Sequence, residues 1–306
     1  VTESRPDAAD LRKRILELKD SRDAILLAHN YQPGSIQDIA DFVGDSLELS
    51  RTAAAAKERV IVFCGVDFMA ETAAILSPDK TVLLPAGGAC CPMAQMITAG
   101  DVQMLRERYP EAAVVAYVNT SAAVKAESDI CCTSANVVRV VTSLPQDRIL
   151  FVPDRNLGLY VARFTRKEIL PWEGYCYVHD QYTREDVWEA RRQHPDAGLL
   201  VHPECRPEVI DLADQVFSTS GMIREVCQGT REEYIIGTEV GILHRMQKLC
   251  PGKWCYPLSA RAVCENMKKT TLDTVLQSLL TMTHRVTVEE PVASRARAAI
   301  ERMLVI

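Results

Sequence analysis

Three polar residues stand at the ends of three short β-branched runs, and their types could bind a small anion and move its protons. The runs are Ile25-Leu26-Leu27-Ala28-His29, Val114-Val115-Ala116-Tyr117-Val118-Asn119 and Leu199-Leu200-Val201-His202. Each is followed by an Asp with a hydroxyl residue five positions on: Asp41 and Ser46, Asp129 and Ser134, Asp214 and Thr219. The polar strand end precedes its hydroxyl by 17, 15 and 17 residues. Further on, each stretch closes on a Pro-containing segment and a cysteine, which is Cys90 or Cys91, then Cys176, then Cys264. Histidine supplies acid–base chemistry, hydroxyls at helix starts hold anions, and thiolates hold soft metals.

The elements that must position these residues repeat. A second strand follows each hydroxyl, at Val60 to Cys64, Ile149 to Val152 and Tyr234 to Gly237. Strands alternating with helical stretches read as α/β layers with parallel sheets. The same features in the same order, about every 85 residues, indicate one supersecondary unit used three times. Chain length alone would give about two domains at roughly 150 residues each. We therefore expect three pseudo-repeated α/β/α domains around a pseudo-threefold axis: residues 1–96, 97–180, and 181–306. The third carries C-terminal helices, near Thr271 to Leu280 and Ala293 to Leu304, expected to reach back towards the first.

Ligands of open α/β sheets gather at the carboxyl ends of the strands. Three such ends around one axis would place His29, Asn119 and His202 at one central cavity, with Ser46, Ser134 and Thr219 beside them. The hydroxyls read as helix N-caps, so helix starts would also face the site. Any one of them alone is more simply a cap. Three in register point to an anionic small-molecule site.

The closing cysteines narrow the chemistry. No Cys-x-x-Cys pair is present, which excludes zinc ribbons and compact ferredoxin motifs. Ligands 85 and 88 residues apart, counted from Cys91, must be gathered by the tertiary fold. Three thiolates on a [4Fe–4S] cube would leave one iron without a protein thiolate, free to act as a Lewis acid. The bland alternative for each cysteine is a small buried hydrophobe.

Composition closes off other classes. Thirty-five basic residues against 41 acidic ones give a net charge of −6 with no basic block, which argues against nucleic acid or an anionic membrane as partner. The longest apolar run, Ala112 to Val118, falls far short of the roughly 20 residues of a membrane helix. The first twenty residues are charged throughout, without the apolar core of a secretory leader, so a cytoplasmic protein with mostly reduced thiols is expected.

Several longer motifs carry a family resemblance. Ala28-His29-Asn30-Tyr31 with Gly44-Asp45-Ser46, and Tyr117-Val118-Asn119-Thr120-Ser121 with Cys132-Thr133-Ser134, resemble the quinolinate synthases. So do Glu173-Gly174-Tyr175-Cys176-Tyr177-Val178-His179, His202-Pro203-Glu204-Cys205, Ser218-Thr219-Ser220-Gly221, Gly237-Thr238-Glu239 and Cys264-Glu265-Asn266-Met267-Lys268. The resemblance runs in order from about Ile25 to Leu280.

It implies a pseudo-threefold fold around one [4Fe–4S] cluster, held here by Cys91, Cys176 and Cys264. Cys91 is preferred over Cys90 because Cys91-Pro92-Met93-Ala94 fits the family's first ligand motif. Cys205 has no cluster role in this mapping, and Cys64, Cys131, Cys132, Cys227, Cys250 and Cys255 fall to packing or surface. The implied reaction condenses iminoaspartate with dihydroxyacetone phosphate, giving quinolinate, phosphate and two waters, in NAD biosynthesis. An oxidase or dehydrogenase would supply the iminoaspartate. Glu204 is the expected general base and Tyr31 a proton carrier, with His29 and His202 orienting carboxylate or phosphate. Ser46, Tyr117, Val118, Asn119, Ser134, Pro203 and Thr219 complete the substrate-binding set. Another open-iron hydro-lyase and a non-catalytic iron–sulfur sensor are the alternatives, the second disfavoured by the lack of any appended module.

Overall fold

The computed structural model describes residues 7–306; residues 1–6, which open the first expected domain, lie outside the described residues. Short runs of Val, Ile and Leu form strands buried on both faces, as parallel sheets covered by helices require. The first unit runs α1 (Ala8–Ser21), β1 (Ala24–His29), α2 (Gly34–Gln37), β2 (Phe42–Gly44), α3 (Ser46–Ala55), β3 (Val60–Cys64), α4 (Asp67–Leu76), β4 (Thr81–Leu83). The second runs α5 (Ala99–Arg108), β5 (Ala113–Tyr117), α6 (Ala122–Ala126), β6 (Ile130–Cys132), α7 (Val137–Ser143), β7 (Arg148–Val152), α8 (Arg155–Ala162), β8 (Glu168–Pro171). The short α9 (Tyr177–Asp180) closes the second unit, and the third runs α10 (Arg184–Gln193), β9 (Gly198–Val201), α11 (Pro207–Ile210), β10 (Gln215–Val216), α12 (Thr219–Gln228), β11 (Glu233–Gly237), α13 (Ile242–Leu249), β12 (Trp254–Pro257). The chain finishes with α14 (Leu272–Thr281), β13 (Arg285–Val286) and α15 (Val292–Leu304).

Three separate sheets result, with strand orders β2-β1-β3-β4, β6-β5-β7-β8 and β10-β9-β11-β12, all parallel. In each, the strand order reverses at the first strand, and that crevice is where such sheets bind ligands. His29 ends β1, while Asn119 and His202 lie just past the ends of β5 and β9. The strand β13 adds to the outer edge of β4, antiparallel.

The repeated Asp has a structural task. Asp41 Oδ2 accepts the backbone N–H of Leu26 at 2.8 Å, Asp129 Oδ2 that of Val114 at 2.7 Å, and Asp214 Oδ2 that of Leu199 at 2.7 Å. Each Asp also takes a cation from the helix before its strand: Lys19, Arg106 and Arg191 respectively. A second repeated device was not read from the sequence. Lys80, Lys167 and Lys253 each donate to two carbonyls at and beyond the C-terminal caps of α3, α7 and α12. A cation there satisfies orphan carbonyls and complements the helix dipole.

Two expectations need correction. The N-caps of α3 and α12 are Asp45 and Ser218, so Ser46 and Thr219 occupy the first helical position. Ser134 lies in a turn two residues before Asn136, the residue that precedes α7. The carboxylate of Asp45 reaches the N–H groups of Leu47 and Glu48, and Glu48 reaches back to Asp45 N, forming a closed box. That leaves the Ser46 side chain free to face the cavity. Cys227 and Cys250, assigned to packing or surface, form a disulfide between the ends of α12 and α13, 23 residues apart in sequence.

At the C-terminal end, Leu272, Val275, Leu276 and Leu279 of α14 join a core with Leu11 and Ile15 of α1. The helix α15 lies against α6 and β6, and against α4, burying Ala296, Ala299, Ile300 and Met303. We keep residues 96 and 180 as proposed boundaries between the units. Among the described residues, no helix is long and apolar enough to cross a membrane.

Candidate active site

One cavity collects side chains from all three units. The first contributes His29, Tyr31, Ser46 and Cys91, and the second Tyr117, Asn119, Ser134 and Cys176. The third contributes His202, Glu204, Thr219 and Cys264. Val118 and Pro203, expected beside them, do not line it. Val118 donates its backbone N–H to Cys132 and packs behind Ser46, next to Phe63 and Met69. Cys90 also lines the cavity, so both neighbours of the sequence ambiguity reach it.

Strand ends alone do not aim these groups; bonds across the unit boundaries do. Asn30 donates its amide to Thr219 Oγ1 at 3.0 Å, joining the first unit to the third. Ser134 Oγ lies 3.2 Å from His202 Nε2, joining the second to the third. Asn156 donates to the carbonyl of Glu204 at 3.1 Å, which holds the residue after Pro203 from the second unit.

Along one wall runs a line of closely spaced polar side chains, in which His179 Nδ1 faces Glu204 without a hydrogen bond of its own. Glu204 Oε2 stands 2.5 Å from His179 Nδ1, and His179 Nε2 is 2.8 Å from Thr238 Oγ1. The same Thr238 hydroxyl is 2.5 Å from the Tyr31 hydroxyl. His202 stacks on His179 with ring centroids 4.5 Å apart, and its Nδ1 is 3.4 Å from Glu204 Oε2. Glu204 Oε1 and Asn119 Oδ1 are buried acceptors without a partner, open to a ligand's hydroxyl or amine.

Burial sets the protonation states. Burial pushes Glu204 towards its neutral form, but the imidazoles of His179 and His202 outweigh that and hold its carboxyl well below the usual range. Asp154, buried beneath the site, is pushed the other way by burial and by the Glu204 charge. The two carboxyls are thus pushed in opposite directions. Burial drives His29 down to about 3, helped by the charges of His202 and Lys268, so its ring is neutral. Tyr31 is raised well above the usual phenol range by burial and by Glu204, and stays a proton-bearing hydroxyl.

The thiols fit a soft metal cluster. Cys91, Cys176 and Cys264 come one from each unit; Cys91 feels the charge of Cys264, and Cys176 that of both others. Burial raises all three thiols, and backbone N–H groups oppose it: Ala94 and Met93 at Cys91, His179 at Cys176, Met267 and Asn266 at Cys264. Such N–H donors favour the thiolate a metal needs. Among the described residues, the set close enough to share one ion is Cys176, His179 and Glu204, with ligand atoms within 4.8 Å of one another. The three thiols are not such a set, and they line the one cavity from three units. Cys205 is buried apart from them, its Sγ against the carbonyl of Gly237 at 3.6 Å.

Three thiols, three buried histidines and an ionised glutamate in one threefold cavity match a known family. The family profile described as "NadA: Quinolinate synthetase A protein" covers residues 13–305. The chain belongs to the quinolinate synthetase A family. The quinolinate synthase of Methanoregula boonei is 65% identical over 298 residues, 97% of this chain and 99% of its own length. That of Desulforudis audaxviator is 57% identical over 296 residues, covering 96% and 98%. Quinolinate synthase 1 of Methanosarcina acetivorans is 54% identical over 298 residues, covering 97% and 98%. The sequence-based reading of an enzyme of this family, built from repeated α/β units, is borne out. An iron–sulfur centre comes with membership of the quinolinate synthetase A family.

Sequence reasoning placed His179 only as a neighbour of Cys176 and gave Thr238 no task. Neither stands at a repeated strand-end position: His179 lies in the short α9 and Thr238 one residue past β11. Their adjacency arises from docking, which no spacing records.

Proposed function

We propose that this chain condenses iminoaspartate with dihydroxyacetone phosphate, releasing quinolinate, phosphate and two waters, with a [4Fe–4S] cluster held by Cys91, Cys176 and Cys264. When bound, the cluster supplies a Lewis acid at the iron that lacks a protein thiolate. The observation that carries the reading is the line from Glu204 through His179 and Thr238 to Tyr31, in the cavity that also collects the three thiols.

Its parts divide the labour. Glu204, ionised at neutral pH, takes the proton from the triose carbon next to the carbonyl during the keto–aldo shift. His179 Nδ1 shares that proton, and the Thr238 hydroxyl carries the connection on to Tyr31. Tyr31 keeps its proton and can deliver it to a departing hydroxyl as water. A base and an acid linked through closely spaced polar groups can reset each other between the two dehydrations.

The remaining groups hold substrate. His29 Nδ1 accepts the backbone N–H of Tyr31 at 3.2 Å, which leaves Nε2–H to donate to a carboxylate or phosphate oxygen. Ser46, Ser134, Thr219, Tyr117 and Asn119 offer further donors around the same space. The alternative of a different open-iron hydro-lyase has no feature of the site in its favour.

The direct experiment uses anaerobically reconstituted protein, dihydroxyacetone phosphate and iminoaspartate generated in the cuvette. Quinolinate and phosphate should appear in equal amounts, and Glu204→Gln should abolish both while keeping its iron. Cluster-loaded protein that forms no quinolinate would overturn the reading.

A further inference from the structure

The carboxylate of Glu239 is fully buried two residues past the end of β11, and it makes four contacts. Its Oε1 accepts the backbone N–H of Cys264 at 3.1 Å, and its Oε2 that of Gly241 at 2.7 Å. Lys268 Nζ lies 2.8 Å from Oε1 and 3.0 Å from Oε2. The same ammonium donates to the backbone carbonyl of Tyr31 at 2.5 Å. A side chain at Gly241 would stand 2.6 Å from Lys268 Nζ, 2.7 Å from Tyr31 O and 2.8 Å from Glu239 Oε2. The three groups therefore close around a position that only glycine leaves open.

A buried ion pair is weak evidence of stability, because desolvation offsets most of its attraction. Here its connections give it another task. The residue next to Glu239 is Thr238, whose hydroxyl binds the Tyr31 phenol. Tyr31 is thus held at both ends by consecutive residues of the third unit: the ring by Thr238, and the backbone by Glu239 acting through Lys268. The same carboxylate holds Cys264. We propose that the Glu239–Lys268 pair is a positioning device that sets Tyr31 of the first unit against Cys264 of the third and balances charge beside the cluster.

The inference rests on the function proposed above and predicts two separable effects. Net charge near an iron–sulfur cluster sets its reduction potential. In Glu239→Gln the ammonium is left uncompensated, which favours the reduced cluster, so the midpoint potential rises. In Lys268→Met the carboxylate is left uncompensated, and the potential falls. The double variant restores neutrality and should return close to the parent value. Apolar or neutral replacement of a whole buried pair is commonly tolerated, so the double variant keeps the test alive if a single one fails to fold. Both variants at Lys268 remove the donor to Tyr31 O, so kcat should fall by about a hundredfold, as for a displaced catalytic group, with KM little changed.

Anaerobic redox titration followed by electron paramagnetic resonance reads the first effect, and steady-state kinetics the second. Shifts of opposite sign with cancellation in the double variant support charge balance; a merely structural pair would give no such signs. Unmoved potentials overturn that half, and parent-like kcat in the double variant overturns the positioning of Tyr31. The potential needs no turnover, so a loaded parent protein that makes no quinolinate sinks the proposed reaction alone. A parent that assembles no cluster sinks the inference as well.

Discussion

His179 Nδ1 lies 2.5 Å from Glu204 Oε2, with side chains only 2% and 3% exposed. The imidazole comes from the short α9, whose N-cap is Cys176, so one short segment serves the thiol set and the proposed proton path. Replacing His179 with Asn should keep iron content and lower quinolinate formation by about 10²–10⁴-fold, the usual worth of a positioned acid–base group. Turnover within a few-fold of the parent would remove His179 from the path.

The buried histidines make stability depend on pH. His29 is held at about 3, below its ordinary 6.5, by burial first and by neighbouring cations second, and His202 is lowered for the same first reason. An unfolded chain binds protons at these rings below 6.5 while the folded one resists. Their contribution is therefore full above 6.5 and lost as the pH falls from there towards 3. The melting temperature should drop on acidification between pH 6.5 and 5, above the range where Glu204 titrates. His29→Gln should flatten that slope. An unchanged slope in the variant would count against His29 as its source.

The cysteines separate by task. Cys176→Ala should yield protein that cannot hold the brown cluster after anaerobic reconstitution, whereas Cys205→Ala should hold it like the parent. Equal iron in both would contradict the assignment.

Thiol counting tests the disulfide. The nine free cysteines should react in unreduced, denatured, metal-free protein, and two more after reduction, at Cys227 and Cys250. A 23-residue separation corresponds to about 3 kcal/mol in the chain-entropy account, so reduction should lower the melting temperature without releasing iron. Eleven reactive thiols before reduction would show the bond absent.

The repeated Asp invites a parallel comparison. Asp129→Ala and Asp214→Ala each strip the partner from a strand N–H, and each should cost about 1–3 kcal/mol by urea unfolding. Iron content of the folded fraction should stay unchanged, because neither Asp lines the cavity.

Local pattern carried the strands well. The runs ending at His29, Asn119 and His202, and the second strands at Val60, Ile149 and Tyr234, fall where β1, β5, β9, β3, β7 and β11 lie. A parallel strand buried on both faces writes itself into the chain as β-branched residues in a row. The hydroxyls were found but misread as caps, because Asp45 and Ser218 one place earlier compete for that position with the same chemistry. Lys80, Lys167 and Lys253 were missed although they repeat, since a lone lysine carries no local signature. His179, Thr238 and the Glu239–Lys268 pair gain their meaning from packing between units. Val118 was grouped with its polar neighbours, yet it follows β5 directly and faces a different space from Tyr117 and Asn119.

The three thiols lie at positions 91, 176 and 264, one to a unit, so a cluster held as proposed would tie the timing of its loading to synthesis. A ribosome-bound chain emerges in order, and α14, β13 and α15, which pack on α1, β4 and α6, follow Cys264, so even the first two units are finished only when the whole chain is out. Any group that needs all three sulfurs is then inserted only after translation is nearly finished. Prematurely ended chains would offer the iron–sulfur delivery machinery an incomplete set of ligands, so the cluster would mark full-length molecules.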